Sequence, residues 1–239
     1  MKTVLITGGN KGIGFACAKE FLENNYNVII AGRNEEKLKA ATEKLGGNSG
    51  YVVWDVTRFS NGSDVLEKAH KIFGNIDTFI NNAGIVTDED ISGTDFLNMT
   101  ESAWDITMDT NLKGLFFALQ AQAKYMVKNG ICGNIVNVCS EMSVRPAYDP
   151  YCISKWGALG LTKGLAKKLI TRGIIINGIA PGETATEILR QKEGEAHKNS
   201  SLRGERAMPW EVAKEIYFLA NSKNIIGSVL LSDGGRSLH

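Results

Sequence analysis

Tyr151 and Lys155 stand four positions apart, a spacing that brings two side chains to one face of a helix. An ammonium held close to a phenol favours the phenolate and draws its pKa down from about 10. Such a tyrosine can pass a proton to or from a substrate oxygen. The same spacing also arises by chance on exposed helices, so the residues upstream must decide its meaning. A second stretch with chemistry in its pattern is Thr7-Gly8-Gly9-Asn10-Lys11-Gly12-Ile13-Gly14. It follows the apolar run Thr3-Val4-Leu5-Ile6 and precedes a helical pattern over Ile13 to Asn24, in which Phe15, Ala18, Phe21 and Leu22 recur at helical spacing. Strand, glycine turn and helix in that order turn free N–H groups toward a pyrophosphate. The glycines let backbone approach the phosphates and let helix pack on strand.

Composition narrows the class. The chain has 239 residues, of which 43% are hydrophobic, enough for one domain with a sizeable core. A net charge of +1 argues against a nucleic-acid or membrane surface as the main partner. Cys17, Cys132, Cys139 and Cys152 form no C-x-x-C pair, and His70, His197 and His239 are far apart. Neither a zinc site nor a Ser-His-Asp triad is expected. No metal is therefore assigned. The N-terminus enters a strand without a charged-then-apolar leader, and no apolar run reaches membrane-spanning length. A reduced, cytoplasmic setting is the expectation.

The elements that must position these residues alternate. Strands are predicted at 27–31, 51–54, 76–80, 133–138, 174–179 and 228–231, after the first at 3–6. Helices are predicted at 35–45, 63–73, 101–128 with a break near Asn111, 151–172 and 209–220. Such alternation implies parallel pairing through right-handed crossovers, hence an α/β fold with a doubly wound sheet of about seven strands. Residues 85–100 read as a surface loop, and the polar, weakly periodic stretch 183–208 as a mobile lid over a pocket, within a single Rossmann-type domain spanning 1–239.

Taken together, these pieces resemble the short-chain dehydrogenase/reductase family over essentially the whole chain. The matching residues occur in the family's order: T-G-x-x-x-G-I-G at Thr7–Gly14, Asp55-Val56, Asn81-Asn82-Ala83-Gly84, Asn111, Ser140, Tyr151 with Lys155, and Pro181-Gly182. The style is that of bacterial reductases that include 3-oxoacyl-carrier-protein reductases and many sugar, polyol and steroid dehydrogenases. The resemblance implies an oxidoreductase acting on a small-molecule carbonyl or secondary alcohol. Tyr151 would be general acid in reduction and base in oxidation. Lys155 would lower its pKa and hold the nicotinamide ribose. Ser140 would bind the substrate oxygen, and Asn111 would hold a water linking Lys155 to solvent. Gly8, Asn10, Lys11, Gly12, Ile13 and Gly14 would cradle the cofactor phosphates. Asp55 and Val56 would flank the adenine, and Asn82, Ala83 and Gly84 would lie beside the adenosine ribose. Pro181, Gly182 and Thr186 would touch the carboxamide, with Thr184 a rival for that contact.

Alternatives stay open at several positions. Ser140 could serve only as a strand-end cap, Asn111 only as a helix break, and Asp55-Val56 only as a turn. Ser143 competes for the role of Ser140. Ser140 and Tyr151 are 11 positions apart, a shorter gap than is commonest in the family, which reshapes the pocket wall of Glu141, Met142, Ser143, Val144, Arg145 and Tyr148. Arg145 could meet an anionic substrate or simply face solvent. An acidic residue at the end of the second strand would accept hydrogen bonds from the adenosine ribose and repel a 2′-phosphate. Gly32 occupies that position, followed by Arg33, with Lys11 across the glycine turn. The expected cofactor is therefore NADP(H). Glu35 and Glu36 are read as favouring the following helix through its dipole. A non-catalytic cofactor sensor and an isomerase or dehydratase on the same scaffold are the competing functions. The resemblance also implies a homo-oligomer, dimer or tetramer, formed through the helices around 101–128 and 151–172.

Overall fold

The computed structural model describes residues 1–87, 96–186 and 201–238. Seven strands form one sheet in the order β3-β2-β1-β4-β5-β6-β7. They are β1 (Thr3–Thr7), β2 (Asn27–Gly32), β3 (Ser49–Val53), β4 (Thr78–Asn81), β5 (Asn134–Val138), β6 (Ile175–Pro181) and β7 (Val229–Ser232). Every pairing is parallel. A parallel sheet needs crossovers, and these supply its two covering layers. Along β1, Leu5 packs into one layer while Val4 and Ile6 pack into the other. The first layer holds α3 (Gly62–Phe73), the segment Gly114–Lys128 and α6 (Pro150–Leu169). The second holds α1 (Gly12–Glu23), α2 (Glu35–Leu45) and α7 (Pro209–Asn221).

Strand ends shift by a residue or two from the sequence reading because pairing, not hydrophobicity, sets them. β4 starts at Thr78, where Val4 becomes its partner; Asp77 just before it accepts from the Thr3 amide at 2.8 Å. β6 runs on to Pro181 because Ser232 pairs with it there. A proline at that strand end removes no interior ladder donor.

The expected break near Asn111 is real and has a specific form. Helix α4 (Glu101–Met108) passes through a π-helical turn, Asp109–Lys113, into α5 (Gly114–Lys128). A wider turn of this kind inserts a residue without ending the helix. Its Asn111 is 3% exposed.

The strand order changes direction between β1 and β4, opening a crevice beyond their carboxyl ends. Of the stretch 183–208, residues 187–200 lie outside the described residues. Its two described ends are tied together. The Ala185 amide donates to Ala207 O at 2.9 Å and the Ala207 amide to Glu183 O at 3.1 Å. Residues 88–95 of the expected 85–100 loop also lie outside, and Phe96–Asn98 form a short 3-10 turn.

Candidate active site

Two adjoining cavities occupy the crevice, of about 460 Å³ and about 410 Å³. Ile13, Asn82, Gly84 and Thr186 line both, so the cavities form one continuous cleft.

The first is built on the glycine turn. Gly8 has a φ of +66°, and a Cβ there would stand 2.9 Å from Asn82 Nδ2. That amide spans the crevice, donating to Thr7 O and Gly8 O at 3.1 Å each. A Cβ on Gly14 would run into Gly8 O. Gly14 thus lines neither cavity; it lets α1 press against the turn. Gly14→Ala should therefore cost about 1–3 kcal/mol, as overpacking against backbone does, with weaker nucleotide binding. Denaturant unfolding and nucleotide titration check both. Helix α1 begins with no side-chain cap and no acidic residue in its first turn, which leaves its positive end suited to an anion. Gly8, Asn10, Lys11, Gly12 and Ile13 line this cavity with Arg33, Asp55, Val56, Asn82, Ala83 and Gly84. Asp55 also makes its own turn, accepting from the Thr57 amide and hydroxyl at 3.0 and 2.8 Å. No carboxylate comes from the end of β2. A Cβ on Gly32 would meet Asn10 Oδ1 at 3.4 Å.

The second cavity gathers Ser140, Tyr151 and Lys155 with Pro181, Gly182, Thr184 and Thr186. Both threonines are 5% exposed, and only Thr186 reaches the first cavity as well. Tyr151 sits in the first turn of α6, whose start is fixed by Pro150 and by Asp149 accepting from the Cys152 amide at 2.7 Å. Lys155 follows one turn on, its Nζ 5.5 Å from the Tyr151 ring centroid and donating to Val138 O at 3.2 Å. Burial holds the Lys155 ammonium below the ordinary lysine range, while the Cys139 thiol beside it works the other way. Burial likewise pushes the Cys139 thiol up, opposed by Lys155.

Ser140 lies two residues beyond β5 and caps the 3-10 turn Glu141–Val144, accepting from the Met142 amide at 3.2 Å. The capping contact is thus present. The bond to Met142 uses a lone pair, so the O–H hydrogen remains available for another acceptor. Ser143 is fully buried, its Oγ accepting from the Ser140 amide at 3.3 Å. The structure puts Ser140 in the cavity wall and leaves Ser143 behind it.

Asn111 lines neither cavity. It stands one layer back, donating to Ile85 O and accepting from Ile85 N at 2.8 Å each. A Cβ on Gly84 would fall 3.3 Å from Asn111 Oδ1 and 3.7 Å from Lys155 Nζ. Gly84 is therefore the point where the π turn, the β4 exit and Lys155 converge. Behind the site a buried polar ladder ties β4 to β5. Asn81 donates to Gln122 and Asn137 at 3.0 and 2.9 Å, and Asn137 donates to Thr162 at 3.0 Å.

Sequence reasoning missed Glu183 and Arg236 as parts of the cavity wall. Arg236 Nη1 lies 2.6 Å from Glu141 Oε1 and 2.7 Å from Glu183 Oε1. Arg145 does not face open solvent. It lies 3.2 Å from Glu141 Oε2 and donates to Arg236 O at 2.8 Å. Burial raises the Glu141 carboxyl above the ordinary carboxylate range, with Arg236 and Arg145 pulling it back. No contiguous pattern marks Arg236. Among the described residues no cluster of three or more His, Cys, Asp or Glu could hold a metal. No described helix is long and apolar enough to cross a membrane.

Comparison with known proteins is consistent in family and fold. A family model described as short chain dehydrogenase matches residues 2–197. The 3-oxoacyl-acyl-carrier-protein reductase of Thermotoga maritima is 36% identical, over 98% of this chain and 97% of its own. That of Chlamydia muridarum is 34% identical, over 98% and 96%. Among solved structures, ElxO with NADP bound is 35% identical with a TM-score of 0.87, covering 100% of this chain and 99% of its own.

Proposed function

The chain belongs to the short-chain dehydrogenase family, and from that premise we propose that this oxidoreductase uses NADP(H) to interconvert a carbonyl and a secondary alcohol. The observation that carries the proposal is the continuous cleft. It joins an anion-receptive glycine turn to a wall bearing Ser140, Tyr151 and Lys155. The residues fit a dinucleotide. Gly8, with its φ of +66°, lets the turn close against Asn82 and Ala83, where a Cβ would collide, and α1 points an uncapped positive end into the same cavity. Gly8, Asn10, Lys11, Gly12 and Ile13 would hold the phosphates, Asp55 and Val56 the adenine, and Asn82, Ala83 and Gly84 the adenosine ribose. Pro181, Gly182, Thr184 and Thr186 would receive the nicotinamide end. When bound, the cofactor supplies or accepts the hydride.

The chain's own part is orientation and proton supply. Ser140 donates its free O–H hydrogen to the substrate oxygen. Tyr151 gives that oxygen its proton in reduction and removes it in oxidation. Lys155 holds a positive charge beside Tyr151 and steadies the phenolate. Asn111 positions the Ile85 backbone behind Lys155, where a water can resupply the proton. The 3-oxoacyl-acyl-carrier-protein reductases among its relatives favour carbonyl reduction over the sensor and isomerase alternatives, as do Tyr151 and Lys155 together in the cleft. Exposed Trp104, Ile106, Phe116 and Trp156, on the helices expected to pair, support a homo-oligomer; sedimentation tests it.

The cofactor preference has its own test. Gly32 offers no carboxylate, while Arg33 and Lys11 line the same cavity. A charge-assisted hydrogen bond contributes about 1.5–3 kcal/mol, so one such contact gives roughly tenfold or greater discrimination. NADPH should exceed NADH in kcat/KM by at least that factor, and Arg33→Ala should erode the gap by weakening NADPH. Equal values for the two cofactors in the unaltered protein would refute the preference.

A further inference from the structure

The second cavity has a charged wall for which proton transfer has no use. Glu141 and Glu183 both reach Arg236 Nη1, at 2.6 and 2.7 Å. Arg206 Nε backs Glu183 Oε2 at 2.8 Å, and Arg145 backs Glu141 Oε2 at 3.2 Å. Asp233 holds the turn that presents Arg236, accepting from the Gly235 and Ser237 amides at 2.9 and 2.8 Å. The cluster thus joins the exits of β5, β6 and β7 at one point of the cavity wall.

Arg236 has more donors than its partners use. Its Nη1 is taken by the two carboxylates, and its Nε is sealed from solvent without a partner. Its Nη2 has no hydrogen bond among the described residues and is not sealed. The side chain is 22% exposed and lines the cavity, so Nη2 is the donor left for a visitor. Two carboxylates and a built turn hold the guanidinium in place before anything binds, which lowers the ordering cost of binding.

Resting on the carbonyl reductase reading, we propose that Arg236 is a substrate-binding residue that determines specificity. Its Nη2 takes a second, uncharged oxygen acceptor of the carbonyl substrate, such as an ester, thioester or amide oxygen. The charge balance selects against a carboxylate at that place. Arg145, Arg206 and Arg236 are matched by Glu141, Glu183 and Asp233, so an arriving anion gains no net positive field and still loses its hydration. A neutral oxygen loses less water and gains the same donor.

The test compares butanone, ethyl acetoacetate and acetoacetate with the protein and NADPH. In the unaltered protein kcat/KM for the ester should exceed that for butanone and that for acetoacetate by roughly tenfold or more, as one hydrogen bond to a charged donor gives. Arg236→Met should bring the ester-to-butanone ratio close to one, through KM rather than kcat, since the contact is remote from the reacting bond. Glu183→Gln leaves the cluster one positive charge in surplus, and should raise acetoacetate relative to the ester by roughly tenfold. This second variant carries the question if Arg236→Met fails to fold. Calorimetric titration of ethyl acetoacetate into the NADP⁺ complex reads the same contact without turnover. An ester preference that persists in Arg236→Met, in rate or in affinity, overturns the assignment, as does an unchanged acid-to-ester ratio in Glu183→Gln. If the unaltered protein reduces none of the three, the titration still decides whether Arg236 holds the ester, and the reductase reading is decided separately on a wider carbonyl panel.

Discussion

Tyr151→Phe should fold, bind NADP(H) and lose activity by about 10²–10⁴-fold or more, the usual scale for losing general acid–base help. The substitution removes one oxygen. The features that fix this residue are left untouched: Pro150 in the first turn, Asp149 capping the Cys152 amide at 2.7 Å, and the Ser154 hydroxyl donating to Tyr151 O at 2.7 Å. The phenyl ring keeps its place in the wall of the second cavity, so cofactor affinity should change little. The loss should fall on kcat, because the proton is needed in the transition state and not for binding. Steady-state kinetics alongside cofactor titration separates the two. Near-normal turnover in this variant, on any substrate the unaltered protein reduces, would remove Tyr151 from the proposed chemistry.

Lys155→Met should also lose at least about 10²-fold in rate, and it should leave a second mark that a surface lysine would not. Burial lowers the folded pKa of Lys155 below the unfolded value of 10.5. Between those two values the unfolded chain binds more protons than the folded one, so stability rises with pH through that window. Below the folded pKa the cost of burying the ammonium is present in full. It fades as pH climbs toward 10.5. The variant has no such group, so its stability should lack that alkaline gain. The lost bond to Val138 O changes its stability by a pH-independent amount and leaves the difference in slope readable. Denaturant unfolding across alkaline pH measures it. Identical pH slopes would show that Lys155 is not held as a buried ammonium.

The parts of the fold that sequence made legible are those with a period or a turn chemistry. β1 and its glycine turn read clearly because an apolar run stops at residues whose backbone freedom is needed, as at Gly8 with its φ of +66°. Strand ends were less legible. Ser49 and Gly50 lie outside the apolar run of β3, yet they pair with Val28 and Ile29, a choice made by the neighbouring strand. The helix break at Asn111 was visible as a disturbance in pattern. Its π form depends on Asn111 reaching Ile85, a contact across 26 residues. In the site, Tyr151 and Lys155 carry a local spacing, and Ser140 stands just beyond the end of a readable strand. Arg145 reads as a solvated arginine from its neighbours alone, and the structure pairs it with Glu141 and the Arg236 carbonyl. Arg236 and Glu183 had no local signal at all, because their meeting depends on three separate strand exits coming together.

The most direct measurement uses NADPH carrying deuterium at the transferable hydride, incubated with the protein and a panel of carbonyl compounds, and follows the label by mass spectrometry. The expected result is an alcohol bearing the deuterium at the former carbonyl carbon, formed in step with oxidised cofactor, and absent when Tyr151→Phe replaces the unaltered protein. A substrate converted with no label and no cofactor oxidised would contradict it in favour of an isomerase or dehydratase. Cofactor bound tightly yet unchanged by every carbonyl would contradict it in favour of a sensor.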